Sequence, residues 1–164
     1  MDNLAQWLGE QLDEDERIAR AASHVLRDGA HWSLDEWHGR EQPHSLIAQG
    51  TTEQPVALGH FTADPVPTEQ ALHIARHDPA RVLRDVHSKR RIIELHSVVH
   101  REIGWLKDGQ EEHDEIPVCS LCVPRHSHYQ QREDVPQGSC LMVRLLALPY
   151  ADRPGYREDW APPP

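Results

Sequence analysis

Three cysteines and a small group of histidines are the residues of this chain whose types and spacing point to chemistry. Cys119 and Cys122 form a C-x2-C pair, and Cys140 follows after seventeen intervening residues. Thiolates and imidazoles hold zinc in tetrahedral geometry, and C-x2-C is a common half-site because a tight turn brings both sulfurs to one ion. On its own the motif is weak. Cys140 adds to it, because it opens a predicted helix whose N-terminus favours a thiolate. A histidine would complete a closed Cys3His set. His96 and His100 stand one turn apart on a predicted helix, and periodicity alone does not separate them. His113, His126 and His128 are candidates from loops, with His126 close to Cys122 in sequence.

Three other readings compete with this one. Three ordinary cysteines beside core histidines would give the same sequence. A redox C-x2-C belongs after a strand and at a helix start in a β-α-β setting, and no such setting is visible around "CSLCVPRH". His73 and His77 form a second i, i+4 pair, so a metal-dependent hydrolase or nucleotide-acting enzyme is the alternative function. It would use His73, His77, His96 or His100 on a metal with an open position, beside Glu94 or Glu102 as a base. Neither histidine pair has the H-E-x-x-H arrangement that places a general base beside the metal. The chain also lacks a phosphate-binding glycine loop and a nucleophile elbow, and catalysis is not the expected role.

Composition sets the frame for these residues. The chain has 164 residues, 38% of them hydrophobic, with 13 prolines and 13 histidines. That apolar share is below the ~45–50% of an average domain, so the expected core is thin and an added cross-link matters. With 27 acids against 17 bases the formal net charge is −10. A surface of that sign repels phosphate, so no nucleic acid is expected as a partner. Docking on a basic partner surface is open to such a chain, although most acidic domains are simply soluble, and a nucleic-acid-binding protein blocked by an acidic mimic is a further reading. No apolar run reaches the ~20 residues of a membrane span, and "MDNLAQWLGEQLDEDER" carries no secretory core, so a cytoplasmic protein is expected. An odd number of cysteines in that compartment argues for metal or free thiols over a disulfide framework.

The elements that must position the site follow from periodicity. Leu4, Trp7, Leu8, Leu12, Ile18, Ala22 and Val25 recur at helical steps, so residues 1–28 read as an amphipathic helix with Trp7 as a core anchor. Residues 30–62 alternate in short segments between Gly, Pro and Thr and read as an antiparallel β-meander, with Trp32 and Trp37 on its apolar face. Residues 67–106 read as helical. Thr68 starts a short helix, and Asp78 caps a long one that begins at Pro79 and runs to Ile103 or Trp105. Residues 107–140 read as a charged, metal-binding loop. Ser139 caps a helix over residues 140–149, apolar almost all round, and residues 150–164 form an irregular tail anchored by Tyr150, Tyr156 or Trp160.

Three blocks carry a resemblance. "WLGEQLDEDERIARAA", "HIARHDPARVLRDVHSKRRIIELH" and "RLLALPYADRPGYREDW" are similar to a family of small proteins from actinobacteria and their phages, known as a domain of unknown function. The blocks cover about 60 residues and lie from one end of the chain to the other. The resemblance implies that the ligand set is His96, Cys119, Cys122 and Cys140; periodicity alone leaves His100 as the alternative fourth ligand. Some members lack the cysteines, which implies that metal stabilises the fold and is not a shared activity. The stretch from Cys122 to Cys140 is longer than the family pattern.

The resulting expectation is one α+β domain over residues 1–164. It comprises an N-terminal amphipathic helix, a small antiparallel meander, a long central helix and a buried C-terminal helix, clamped by zinc. The expected function is that of a non-catalytic accessory or interaction module.

Overall fold

The computed structural model describes residues 3–25, 29–35, 45–49, 54–57, 68–124 and 127–163. Trp37, His126 and the connector ahead of Thr68 lie outside the described residues. The fold is mixed α+β, and the chain clusters into two compact units, one of residues 13–87 and one of residues 1–12 with 88–164. Among the described residues, no helix is long and apolar enough to cross a membrane.

The helix α1 (Leu4–Val25) contributes to both units, and its first turns bury Leu4, Leu8 and Leu12 completely. In the unit of residues 13–87, β1 (His31–Asp35), β2 (Ser45–Gln49) and β3 (Gln54–Ala57) form an antiparallel sheet in that order. This is the expected meander. A register shift between Leu46 and Ile47 accompanies Pro55, which sits on the edge strand where a missing N–H is tolerated. Trp32 is half-buried and donates its indole N–H to the Gly29 carbonyl at 2.8 Å.

Two helices follow, α2 (Thr68–Arg76) and α3 (Pro79–Leu95). Asp78 caps α3 as its sequence position suggests: its Oδ1 accepts the Arg81 backbone N–H at 2.7 Å, and the residue is only 8% exposed. Asp78→Ala should therefore cost about 0.5–2 kcal/mol, whereas Asp78→Asn should stay close to wild type because Asn caps equally well. Urea denaturation of the three proteins measures the difference.

The unit of residues 88–164 departs from the expected elements. The helix α3 stops at Leu95 and does not reach Ile103 or Trp105. Residues 98–107 are instead a strand, β4 (Val98–Lys107), paired antiparallel along its full length with β5 (Gln110–Cys119). The stretch expected to be a charged loop is thus half of a hairpin. Its turn is Asp108–Gly109, with φ of 51° and 78°, the pair of positive values that a type I′ turn requires. Val98–Val99 explains the switch, since β-branched side chains favour the pleated sheet and a buried inner face decides the matter. Ile103, Trp105, Ile116 and Val118 form that face and pack with Val123 and Val135 into one core cluster. A short strand, β6 (His128–Tyr129), adds in parallel to the other edge of β4, with Gly104 opposite His128.

The last helix, α4 (Leu141–Ala147), has one-sided burial: Val143 and Ala147 are buried, and Leu141, Met142 and Leu145 are exposed. Its N-cap is Cys140 and not Ser139, which is buried one residue earlier. The tail that follows is irregular apart from 3₁₀ turns at 148–150 and 158–160, with Tyr150 and Trp160 buried as expected of anchors.

Candidate metal centre

Four stretches of the 88–164 unit deliver one donor each to a common point. His96 is the first residue beyond α3, and its backbone N–H still bonds to the Ile92 carbonyl at 3.0 Å, so the helix end fixes the direction of its ring. Cys119 closes β5 opposite Val98, which places it beside the chain leaving α3. Cys122 follows in the turn, where the Val123 N–H bonds back to the Cys119 carbonyl at 3.1 Å. Cys140 occupies the N-cap of α4 in extended conformation without making a side-chain cap bond, and its sulfur turns to His96.

The donor atoms of His96, Cys119, Cys122 and Cys140 all lie within 4.8 Å of one another. His96 Nδ1 is 3.5 Å from the sulfur of Cys119, 3.5 Å from that of Cys122 and 3.4 Å from that of Cys140. An imidazole nitrogen has one lone pair or one hydrogen, so it serves one such partner and not three equally. Equal distances are what a shared ion produces. A tetrahedral ion bonded at about 2.0–2.1 Å to nitrogen and 2.3 Å to sulfur sets N···S separations at about 3.6 Å. The four residues fit such an ion.

A polar frame holds the cysteine turn. The Arg101 guanidinium, reaching from β4, donates to the carbonyls of Val123 and Ser120, the latter at 2.8 Å. Ser120 donates its hydroxyl to the Leu95 carbonyl at 2.9 Å and its N–H to Ser97 at 2.8 Å, tying the turn to the end of α3. These partners orient the ligand loop, and loss of such a partner typically weakens metal binding about 10–100-fold. Arg101→Ala should show a loss of that size in competition against a chromophoric chelator. Arg101→Lys should recover little of it, because an ammonium lacks the fork that reaches both carbonyls.

Two thiols of the cluster shift in opposite directions. Burial acts to raise the Cys119 thiol, but the N–H groups of Cys122 and Leu121 and the side chains of His96 and Cys122 outweigh it and bring it from 9.0 down to about 7. Cys122 moves the other way. Desolvation of its sulfur, then the thiols of Cys119 and Cys140, push it from 9.0 up to about 12, although the residue as a whole is exposed. Three thiols this close cannot all ionise unaided, because each new charge meets one already present. A bound dication removes that penalty.

The remaining sequence candidates lie elsewhere. His100 is an exposed residue of β4 opposite Pro117, separated from His96 by the helix-to-strand junction that the sequence reading placed inside one helix. His113 and His128 sit on the strands flanking Gly104, and His126 lies outside the described residues. His73 and His77 are exposed in the 13–87 unit, with ring centroids 4.3 Å apart and His77 Nδ1 2.8 Å from the His73 carbonyl oxygen. Arg101 and Ser120, which frame the cysteine turn, escaped sequence reasoning. Their signal was available only through the hairpin, which sets Arg101 opposite Ile116 and brings it beside the turn.

Comparison with known proteins adds one finding. No curated protein and no solved structure matches the chain. Residues 1–162 match the family of unknown function DUF6221, so nearly the whole chain, including all four clustered residues, belongs to that family.

Proposed function

We propose that His96, Cys119, Cys122 and Cys140 bind one zinc ion as a closed structural site, in a non-catalytic module that acts through a protein partner. The observation that carries this reading is the equal approach of three sulfurs to one imidazole nitrogen. Four protein donors fill a tetrahedral ion and leave no position for a reactive water. Soft thiolates with one imidazole favour zinc among the abundant divalent cations. The partner class follows from charge: a chain carrying −10 is drawn to a basic protein surface and repelled by nucleic acid.

Metal analysis and cobalt substitution test the site. Untagged protein should retain one zinc per chain through gel filtration. Its cobalt form should show intense tetrahedral d–d bands and thiolate-to-cobalt charge transfer that azide does not alter. A spectrum that responds to azide would reveal an open position and favour the hydrolase reading. Protein that neither retains zinc nor takes up cobalt would remove the proposal altogether.

A further inference from the structure

Gly104 lies at the centre of the mixed sheet, opposite His113 of β5 on one side and His128 of β6 on the other. The absence of a side chain there is structural. A Cβ at Gly104 would stand 3.0 Å from His113 Cε1, 3.1 Å from His113 Nδ1 and 3.2 Å from His128 Nδ1. Two imidazoles from separate strands thus lean over one glycine, in space that any other residue would occupy. A carboxylate meets them: Glu111 Oε1 is 3.2 Å from His128 Nδ1 and 3.7 Å from His113 Nε2. Glu111 and His113 are two apart on β5, so their side chains share the face that His128 reaches from the opposite edge.

We propose that His113, His128 and Glu111 form a second, open site for a divalent transition metal, separate from the cysteine cluster. Two imidazoles and one carboxylate are a recurring donor set for such ions and leave coordination positions free. Donors bonded at about 2.0–2.2 Å around a tetrahedral or octahedral ion stand about 3.0–3.5 Å apart; the Glu111–His128 separation of 3.2 Å lies in that range and the Glu111–His113 separation of 3.7 Å just beyond it. Two of the three, His113 and His128, line a concavity of about 550 Å³ together with His100, Glu102, Gly104 and Ser127. All three ligands are about half exposed or more, so the ion exchanges with solvent, unlike one held by the cysteine cluster.

Calorimetric titration of zinc into the untagged chain, already loaded at the cysteine cluster, tests the proposal. One further equivalent should bind, and His113→Ala and His128→Ala should each weaken it at least tenfold. Gly104→Ala should weaken it as well, because a Cβ at 3.0–3.2 Å makes both rings give by a few tenths of an ångström. Because a residue at 104 could also disturb the sheet, the two histidine variants carry the test, with circular dichroism confirming their fold. The proposal is overturned if the loaded wild-type chain takes up no further zinc. It is equally overturned if the His113→Ala/His128→Ala double variant binds that equivalent unchanged. Metal retained through gel filtration reports the cysteine cluster independently, so failure of one site is distinguishable from failure of the other.

Discussion

Stripping the tightly held ion from the zinc-loaded chain with a strong chelator is expected to lower the melting temperature of the 88–164 unit by about 8–16 °C. The size follows from mass action. A ligand present at about 1,000 times its Kd stabilises the folded state by about 4 kcal/mol, and each kcal/mol moves the midpoint about 2–4 °C in a chain of this length. The four donors come from the end of α3, the end of β5, the turn beyond it and the start of α4, so an ion bound there would cross-link segments that lie up to 44 residues apart. The helix α4 depends on it most. At seven residues it is far below the ~12–15 at which an isolated helix holds together in water, and its first residue follows a ligand directly. Hydrogen exchange should therefore accelerate first in α4 when the ion is removed. Cys119→Ser should reproduce the loss without a chelator. The gap between the loaded and stripped forms should narrow as pH falls, because protons compete with the ion for the thiolates. Identical melting curves for wild type and Cys119→Ser would sink the structural-site reading.

The clustering residues His96, Cys119, Cys122 and Cys140 were legible because they carry their chemistry in their side chains, whereas the hairpin that positions Cys119 was misread. Ile93, His96, His100 and Ile103 fall at steps of three and four, which fits a helix, while Val99, Arg101, Ile103 and Trp105 fall at steps of two, which fits a strand. Both periods pass through Ile103. The arbiter was downstream: Asp108–Gly109 is a strong two-residue hairpin signal, and a reading that gave it weight would have ended the helix early. It was masked by β5, whose first six residues are all polar and all exposed, so that half of the strand shows no alternation. The amphipathic period of α1, the meander and the Asp78–Pro79 helix start were legible because each rests on local propensity or capping chemistry. The convergence of His113 and His128 over Gly104 was not. It depends on the register of three strands, one of them only two residues long, and no spacing along the chain encodes it.

Trp7→Ala is expected to be the most damaging single change outside the metal centre, costing about 3–5 kcal/mol, the range for deleting a buried aromatic. Trp7 is 8% exposed beside the fully buried Leu4 and Leu8, and it is what the irregular tail closes upon. Its ring lies 5.5 Å from Tyr156 and 5.5 Å from Trp160, which in turn meet edge to face at 6.0 Å. Its indole N–H donates to the Pro154 carbonyl at 3.1 Å. That bond is possible because Gly155 turns the chain with φ of +86°, and a Cβ there would stand 3.0 Å from the indole nitrogen. A tail with no regular secondary structure beyond 3₁₀ turns has little to hold it except these contacts, so their loss should release it as a unit. Trp7→Phe keeps most of the packing and gives up the hydrogen bond, and it should cost less than Trp7→Ala. Tyr156→Phe should behave oppositely to both. The Tyr156 hydroxyl is buried with no hydrogen-bond partner among the described residues, and an unsatisfied buried group of this kind carries a penalty of about 1–3 kcal/mol. Removing it should leave stability unchanged or raise it. Equilibrium denaturation of the three variants gives the ranking. A Trp7→Ala protein within about 1 kcal/mol of wild type, well short of the cost of a core aromatic, would mean that the tail is held by something other than this aromatic cluster.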